Sequence, residues 1–169
     1  MNGVPPSRFS RALLTAVFAI AASTTSARAD SIPHAGDVAP AFTSPLATGG
    51  SVKLSDYRGK PLYLNFFASW CGPCNAEAPS VSGFYKKYHA RGLNVIGINE
   101  FENKDKALGF ARQYAWPFAI AVDDGTVGHQ YGTIALPVHV FIDKHGKVST
   151  FRLGEMDPTE IEEAIKKIL

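Results

Sequence analysis

The chain has 169 residues, 46% of them hydrophobic and 19% charged, with a formal net charge of +2 and two cysteines, ordinary values for one globular domain with a core of its own. Without residues 1–29, read below as a leader, Arg8, Arg11 and Arg28 go and no acid does, so 14 basic residues face 15 acidic ones and the net charge is about −1. That balance leaves no basic patch to argue for nucleic acid or an anionic membrane as partner.

Arg8 and Arg11 precede an uncharged apolar run of 11 residues from Ala12 to Ala22, then Ser23-Thr24-Thr25-Ser26 and Ala27-Arg28-Ala29. This pattern predicts a secretory signal over 1–29, cleaved after Ala29, and the run is too short to cross a bilayer as a helix. The expected location is periplasmic, the alternative being a chain tethered by an uncleaved N-terminal segment. Residues 30–37 are polar, contain Pro33 and Gly36, and are expected to form a fraying linker, with the domain itself over 38–169.

Val38 to Phe42 is predicted as an extended edge piece, because Pro40 cannot donate in a central ladder. Gly49-Gly50 followed by alternating Val52 and Leu54 predicts a hairpin turn into a second short strand, and Ser55 to Lys60 has turn chemistry. Leu62 to Phe67 is apolar at nearly every position, the pattern of a strand covered on both faces, with Asn65 its one polar member. From Asn75 onward Ala78, Val81, Phe84, Tyr85 and Tyr88 recur at helical spacing, with Pro79 as a kink and Gly92 as a stop.

Leu93 to Ile98 is a second buried strand. Asn103 caps a helix carrying Ala107, Phe110, Ala111 and Tyr114 inward, ended by Trp116-Pro117. Phe118 to Val122 is a short strand, Asp123-Asp124-Gly125 a turn, and Val127 to Tyr131 a short helical segment. Val138 to Ile142 and Val148 to Leu153 are strands joined by the loop Asp143 to Gly146. Asp157, Pro158 and Glu160 mark a helix start, with Met156 and Ile161 as a hydrophobic staple. The order predicts an α/β fold, a mixed sheet flanked by helices with an N-terminal hairpin extension.

Trp70-Cys71-Gly72-Pro73-Cys74 lies between the buried strand and the helical pattern and holds both cysteines. Closing so short a loop removes little chain entropy, so a disulfide here is better suited to react than to staple the fold. A thiolate at the opening of a helix is stabilised by unpaired N–H groups and the dipole. With no second cysteine pair and no histidine at ligand spacing, redox chemistry outranks a zinc pair.

The run Asn65 to Pro79, with Trp70-Cys71-Gly72-Pro73-Cys74 and Glu77-Ala78-Pro79 inside it, resembles the active-site block of thioredoxin-like proteins. Together with Ala39-Pro40-Ala41-Phe42, Gly59-Lys60-Pro61, Tyr131-Gly132, Leu136-Pro137 and Phe141-Ile142-Asp143 it is similar to the exported TlpA/ResA type of thiol–disulfide oxidoreductase. The resemblance implies a thioredoxin-like sheet and a cis Leu136–Pro137 peptide set against the cysteines, offering backbone groups to an extended substrate. It also implies protein disulfides as substrates, among them apocytochrome c or copper-site proteins, and a membrane electron-relay protein as reductant. No bound cofactor or metal is implied, and a monomer is expected.

In the chemistry this implies, Cys71 is the exposed nucleophile and Cys74 the less accessible resolving thiol. Trp70 covers one side of the site or simply packs. Gly72 and Pro73 rigidify the turn and lean the couple toward reductant. Where cytoplasmic thioredoxin has a buried acid, this chain has Asn65, which cannot titrate, so proton handling near Cys74 falls to Glu77, whose other reading is a solvated first-turn carboxylate. His139 is expected to be structural or at a rim. The competing functions are a disulfide-introducing oxidant and a copper metallochaperone using Cys71, Cys74 and His139. A peroxidase is disfavoured because Ala68 stands where a peroxidatic site needs threonine.

Overall fold

In a computed structural model describing residues 1–3 and 32–169, the unalternating run forms strand β3 (Leu62–Phe67), with every residue buried. Its two sets of side chains enter different cores. Tyr63 and Phe67 join Val95, Phe110, Trp116, Phe141 and Ile165 on one side. Leu62, Leu64 and Phe66 join Ile96, Ile98, Val127, Tyr131 and Val140 on the other.

Four more strands complete the sheet: β4 (Asn94–Glu100), β5 (Ala119–Asp123), β6 (Val138–Ile142) and β7 (Val148–Leu153). Their order is β5-β4-β3-β6-β7. β3 runs parallel to β4 and antiparallel to β6, with Asn65 opposite Gly97 on one side and His139 on the other. Gly97 has no side chain for a packing reason: a Cβ there would come within 2.9 Å of the Trp116 ring.

Helices α1 (Gly72–Tyr88), α2 (Lys104–Gln113) and α4 (Pro158–Ile168) bury Val81, Phe110 and Ile161 in the Phe67 core. The short α3 (Thr126–Gln130) and an N-terminal hairpin of β1 (Thr43–Pro45) and β2 (Ser51–Lys53) cover the opposite face. The hairpin also shields a sheet edge, because Ala47 N–H donates to Ile120 O at 2.9 Å and Ser44 Oγ to Val122 O at 3.0 Å.

Several boundaries differ from expectation for visible reasons. The edge strand is Thr43–Pro45 and not 38–42, because Val38 bridges Lys147 and Ala39 N–H donates to Gly146 O before Pro40 breaks the ladder. Gly36 N–H donates to Val148 O at 2.8 Å, so the end of the segment expected to fray is tied to the β6–β7 hairpin. Leu54–Tyr57 winds into a 3₁₀ turn in which Asp56 accepts the Lys53 N–H. α1 opens at Gly72, three residues before the expected start at Asn75. α4 carries the expected capping box of Asp157 and Glu160. Apart from Met1–Gly3, the stretch read as a leader lies outside the described residues. No described helix is long and apolar enough to cross a membrane.

Candidate active site

Cys71 is the N-cap residue of α1, with φ −78° and ψ 110°, and its sulfur accepts the Cys74 N–H at 3.2 Å. Gly72 and Pro73 form the first helical positions, where a proline's missing N–H removes no helical bond. The two sulfurs are joined in a disulfide with the Cα atoms 5.3 Å apart. In this oxidised form both cysteines are only 4% exposed, so the expected difference in exposure between them is not present. Trp70 stands 69% exposed beside them, which rules out the core-packing alternative for its ring. Gly72 and Pro73 are exposed as well.

The loop leading to Cys71 is fixed by residues that spacing did not single out. Glu102, just beyond β4, accepts from Ser69 N and from Ser69 Oγ, both at 2.6 Å, and from Asn99 Nδ2 at 2.8 Å. Burial works against ionisation of Glu102, but these bonds and the nearby Lys106 charge prevail and hold its carboxyl below the usual range. From the other side Asn75 donates to Ser69 O at 3.0 Å and Cys71 O at 2.7 Å, while its own oxygen accepts the Tyr114 hydroxyl at 2.7 Å. Only the Asn75 contacts to Ser69 and Cys71 are local; Glu102 is far along the chain and carried no sequence signal, and Tyr114 was legible only as part of a helical apolar stripe.

Beneath the helix lies a buried polar group. Asn65 Nδ2 donates to the Tyr63 hydroxyl at 3.0 Å, and that hydroxyl lies 2.7 Å from His139 Nδ1. His139 is fully buried, which excludes a rim position. Glu77 is buried too, and with α1 starting at Gly72 it sits in the second turn, so the solvated first-turn reading fails. Its Oε1 accepts the Met156 N–H at 2.5 Å. Its Oε2 lies 3.2 Å from His139 Nε2, at ion-pair range but outside hydrogen-bond angles, and neither atom has a hydrogen-bond partner. Cys74 and Glu77, three residues apart, share the inward side of α1.

Leu136–Pro137 is a cis peptide, as the resemblance implied, and no other described bond is. Phe66 pairs with Val138, so Pro137 falls at the strand end from which β3 runs into the cysteine loop. The Pro137 carbonyl is taken by Gly154 N–H at 2.9 Å. Phe101 and Ile134 are exposed. Among the described residues no three His, Cys, Asp or Glu side chains gather as a metal-ligand group, and both ring nitrogens of His139 are turned to Tyr63 and Glu77.

Known proteins resemble this chain in sequence and fold. Residues 35–151 match the AhpC/TSA family. The thiol-disulfide oxidoreductase ResA of Bacillus thuringiensis subsp. konkukian is 37% identical over 134 residues, 79% of this chain and 78% of the relative. ResA of Halalkalibacterium halodurans is 31% identical over 139 residues, 82% of this chain and 79% of its own. A Chlorobium tepidum structure described as the thiol:disulfide interchange protein DsbE superposes with a TM-score of 0.74 at 35% identity, covering 80% of this chain and 98% of that one. The MTB dsbF structure, in mixed oxidized and reduced forms, gives 0.71 at 25% identity over 76% of this chain and 95% of its own. The chain belongs to the AhpC/TSA family and, within it, to the thioredoxin-like thiol–disulfide oxidoreductases of ResA type.

Proposed function

We propose that this oxidoreductase works as an exported disulfide reductase, with Cys71 as nucleophile and Cys74 as resolving thiol. The observation that carries it is the sulfur of Cys71 at the N-cap of α1, accepting an N–H, where a thiolate gains from the helix dipole and backbone donors. In the reduced protein the Cys71 thiolate attacks one sulfur of a substrate disulfide. The substrate S–S bond breaks and its electron pair leaves with the first substrate thiolate. Cys74 then attacks Cys71, forming the disulfide seen here and releasing the second thiolate, so two electrons pass to the substrate.

Trp70, next to Cys71 in the chain, offers exposed apolar surface for an unfolded or extended partner, and Phe101 and Ile134 are exposed apolar side chains as well. With the Pro137 carbonyl already engaged, a substrate strand would pair through the backbone of Leu136. By resemblance the substrates are apocytochrome c or copper-site proteins in the periplasm, and electrons return through a membrane relay protein, since an oxidising compartment does not recharge a dithiol. The leader at 1–29, the linker and the domain from residue 38 complete this reading.

Trapping tests it. A Cys74→Ala variant is expected to stall as a mixed disulfide with its substrate in the exported compartment, and mass spectrometry then names the partner. Recovery no greater than from a Cys71, Cys74 double variant contradicts the reading. A reduction potential as oxidising as about −120 mV would instead assign disulfide introduction.

A further inference from the structure

We propose that His139 is a positioning and proton-sharing partner of Glu77, and that this pair, seated by Tyr63 and Asn65, takes the proton that Cys74 loses when it resolves a mixed disulfide. The proposal rests on the roles just assigned to Cys71 and Cys74.

A buried carboxylate is costly unless its oxygens find donors. One oxygen of Glu77 has the Met156 N–H, and the other faces His139 Nε2. What that nitrogen presents is decided at the far side of the ring. The Tyr63 oxygen already accepts from Asn65, so its single proton points to Nδ1, and Asn65 Nδ2 lies 3.3 Å from the same nitrogen. Nδ1 therefore accepts, and the ring carries its proton on Nε2, the nitrogen 3.2 Å from Glu77 Oε2. Tyr63 remains protonated in this role, because burial and then the Glu77 charge push its phenol well above the usual range, the Asn65 bond opposing.

Tyr63 and Asn65, two residues apart on β3, thus fix the tautomer of a ring whose outer nitrogen sits against the one carboxylate a turn beyond the resolving cysteine. Asn65 cannot hold a proton itself, yet it orients the group that does. The titratable groups facing His139 are Tyr63 from β3 and Glu77 from α1; Arg152, its register partner on β7, turns its half-exposed guanidinium to Glu160 of α4 at 3.6 Å.

The step balances without an added reagent. Cys74 Sγ gives its proton to the Glu77–His139 pair and forms a bond to Cys71 Sγ. The bond between Cys71 and the substrate sulfur breaks, and its electron pair leaves as substrate thiolate. When the disulfide is next reduced, the pair returns the proton to Cys74.

Stopped-flow reaction of the reduced full chain with an aromatic disulfide whose thiolate is coloured separates the two steps. The first equivalent released reports attack by Cys71, the second resolution by Cys74. His139→Gln is expected to slow the second release about tenfold near neutral pH, within the range for general acid–base groups, and to move its pH midpoint upward. The first release should change little. Tyr63→Phe removes only the hydroxyl and keeps the ring stacked on Phe141, 4.3 Å between centroids; it should slow the second release in the same direction by less.

A second release unchanged in rate and pH midpoint in these variants overturns the proposal, and so does equal slowing of both phases. If His139→Gln does not fold, Tyr63→Phe decides alone by the same criteria. Persistence of a fast first release in Cys71→Ser would overturn the underlying role assignment instead.

Discussion

Ser69 is held by Glu102 through both its backbone N–H and its hydroxyl, so the turn before Trp70 and Cys71 is anchored to a carboxylate 33 residues further on. Hydrogen bonds to a charged group are each worth about 1.5–3 kcal/mol. Glu102→Ala is therefore expected to lower unfolding free energy by about 2 kcal/mol in urea titration. The sign with pH follows from the depressed carboxyl. Its contribution is present above about pH 4.5 and lost as pH falls through the lower folded value, so Glu102→Gln should reduce the loss of stability on the acid side. At this scale the two cysteines, the cis Pro137 and buried Asn65 were legible, the last because one polar residue in an apolar run needs a partner. Glu102, Tyr63 and the depth of His139 were not. Each depends on strands that meet only in the folded sheet, and no spacing rule joins positions 65 and 139.

Elements were read more completely than their ends. β3, β6 and β7 lie where the apolar runs placed them, because a strand buried on both faces leaves little freedom of interpretation. α1 shows the opposite. Its first turn has no apolar periodicity, being Gly72-Pro73-Cys74-Asn75, and the N-cap is a cysteine in place of the usual serine or aspartate. A periodicity criterion consequently starts the helix late, in the turn that matters for the chemistry. α4 is the easiest case, with Asp157 accepting Glu160 N–H at 2.9 Å and Glu160 returning the bond to Asp157 N–H at 3.0 Å. Asp157→Ala should destabilise the protein by about 1 kcal/mol in thermal or urea unfolding. A value near zero would mean that packing of Ile161 and Ile165 alone holds this helix.

Across the whole molecule the two faces of the sheet divide the labour. The α1 and α4 face holds the cysteines and the Glu77–His139 pair, while the opposite face buries a second acid, Glu100, beside Asp123 at the paired ends of β4 and β5. Asp123 accepts the Val127 and Gly128 N–H groups of α3, whereas neither Glu100 oxygen has a hydrogen-bond partner. Burial first, and then the Asp123 charge beside it, push the Glu100 carboxyl up to about 8. The folded protein thus keeps a proton there that the unfolded chain has released, so the Glu100 contribution to stability is full below about pH 4.5 and declines as pH rises to about 8, by up to about 1.4 kcal/mol per unit. Glu100→Gln should flatten that decline in urea titrations across the same interval. An unchanged slope would show that Glu100 is ionised in the native state. The fold class was legible from the order of elements, but this pairing was not, since the apolar runs stop at Ile98 and Val122 and leave Glu100 and Asp123 outside the expected strands.

All of the proposed chemistry depends on the sulfur at the head of α1. After reduction of the disulfide, alkylation followed by peptide mass spectrometry across pH measures each thiol separately. Cys71 is expected to react rapidly at neutral pH, with a midpoint well below the usual thiol value of about 8.5, while Cys74 lags far behind. Equal, slow alkylation of both, each with an ordinary midpoint, would contradict it.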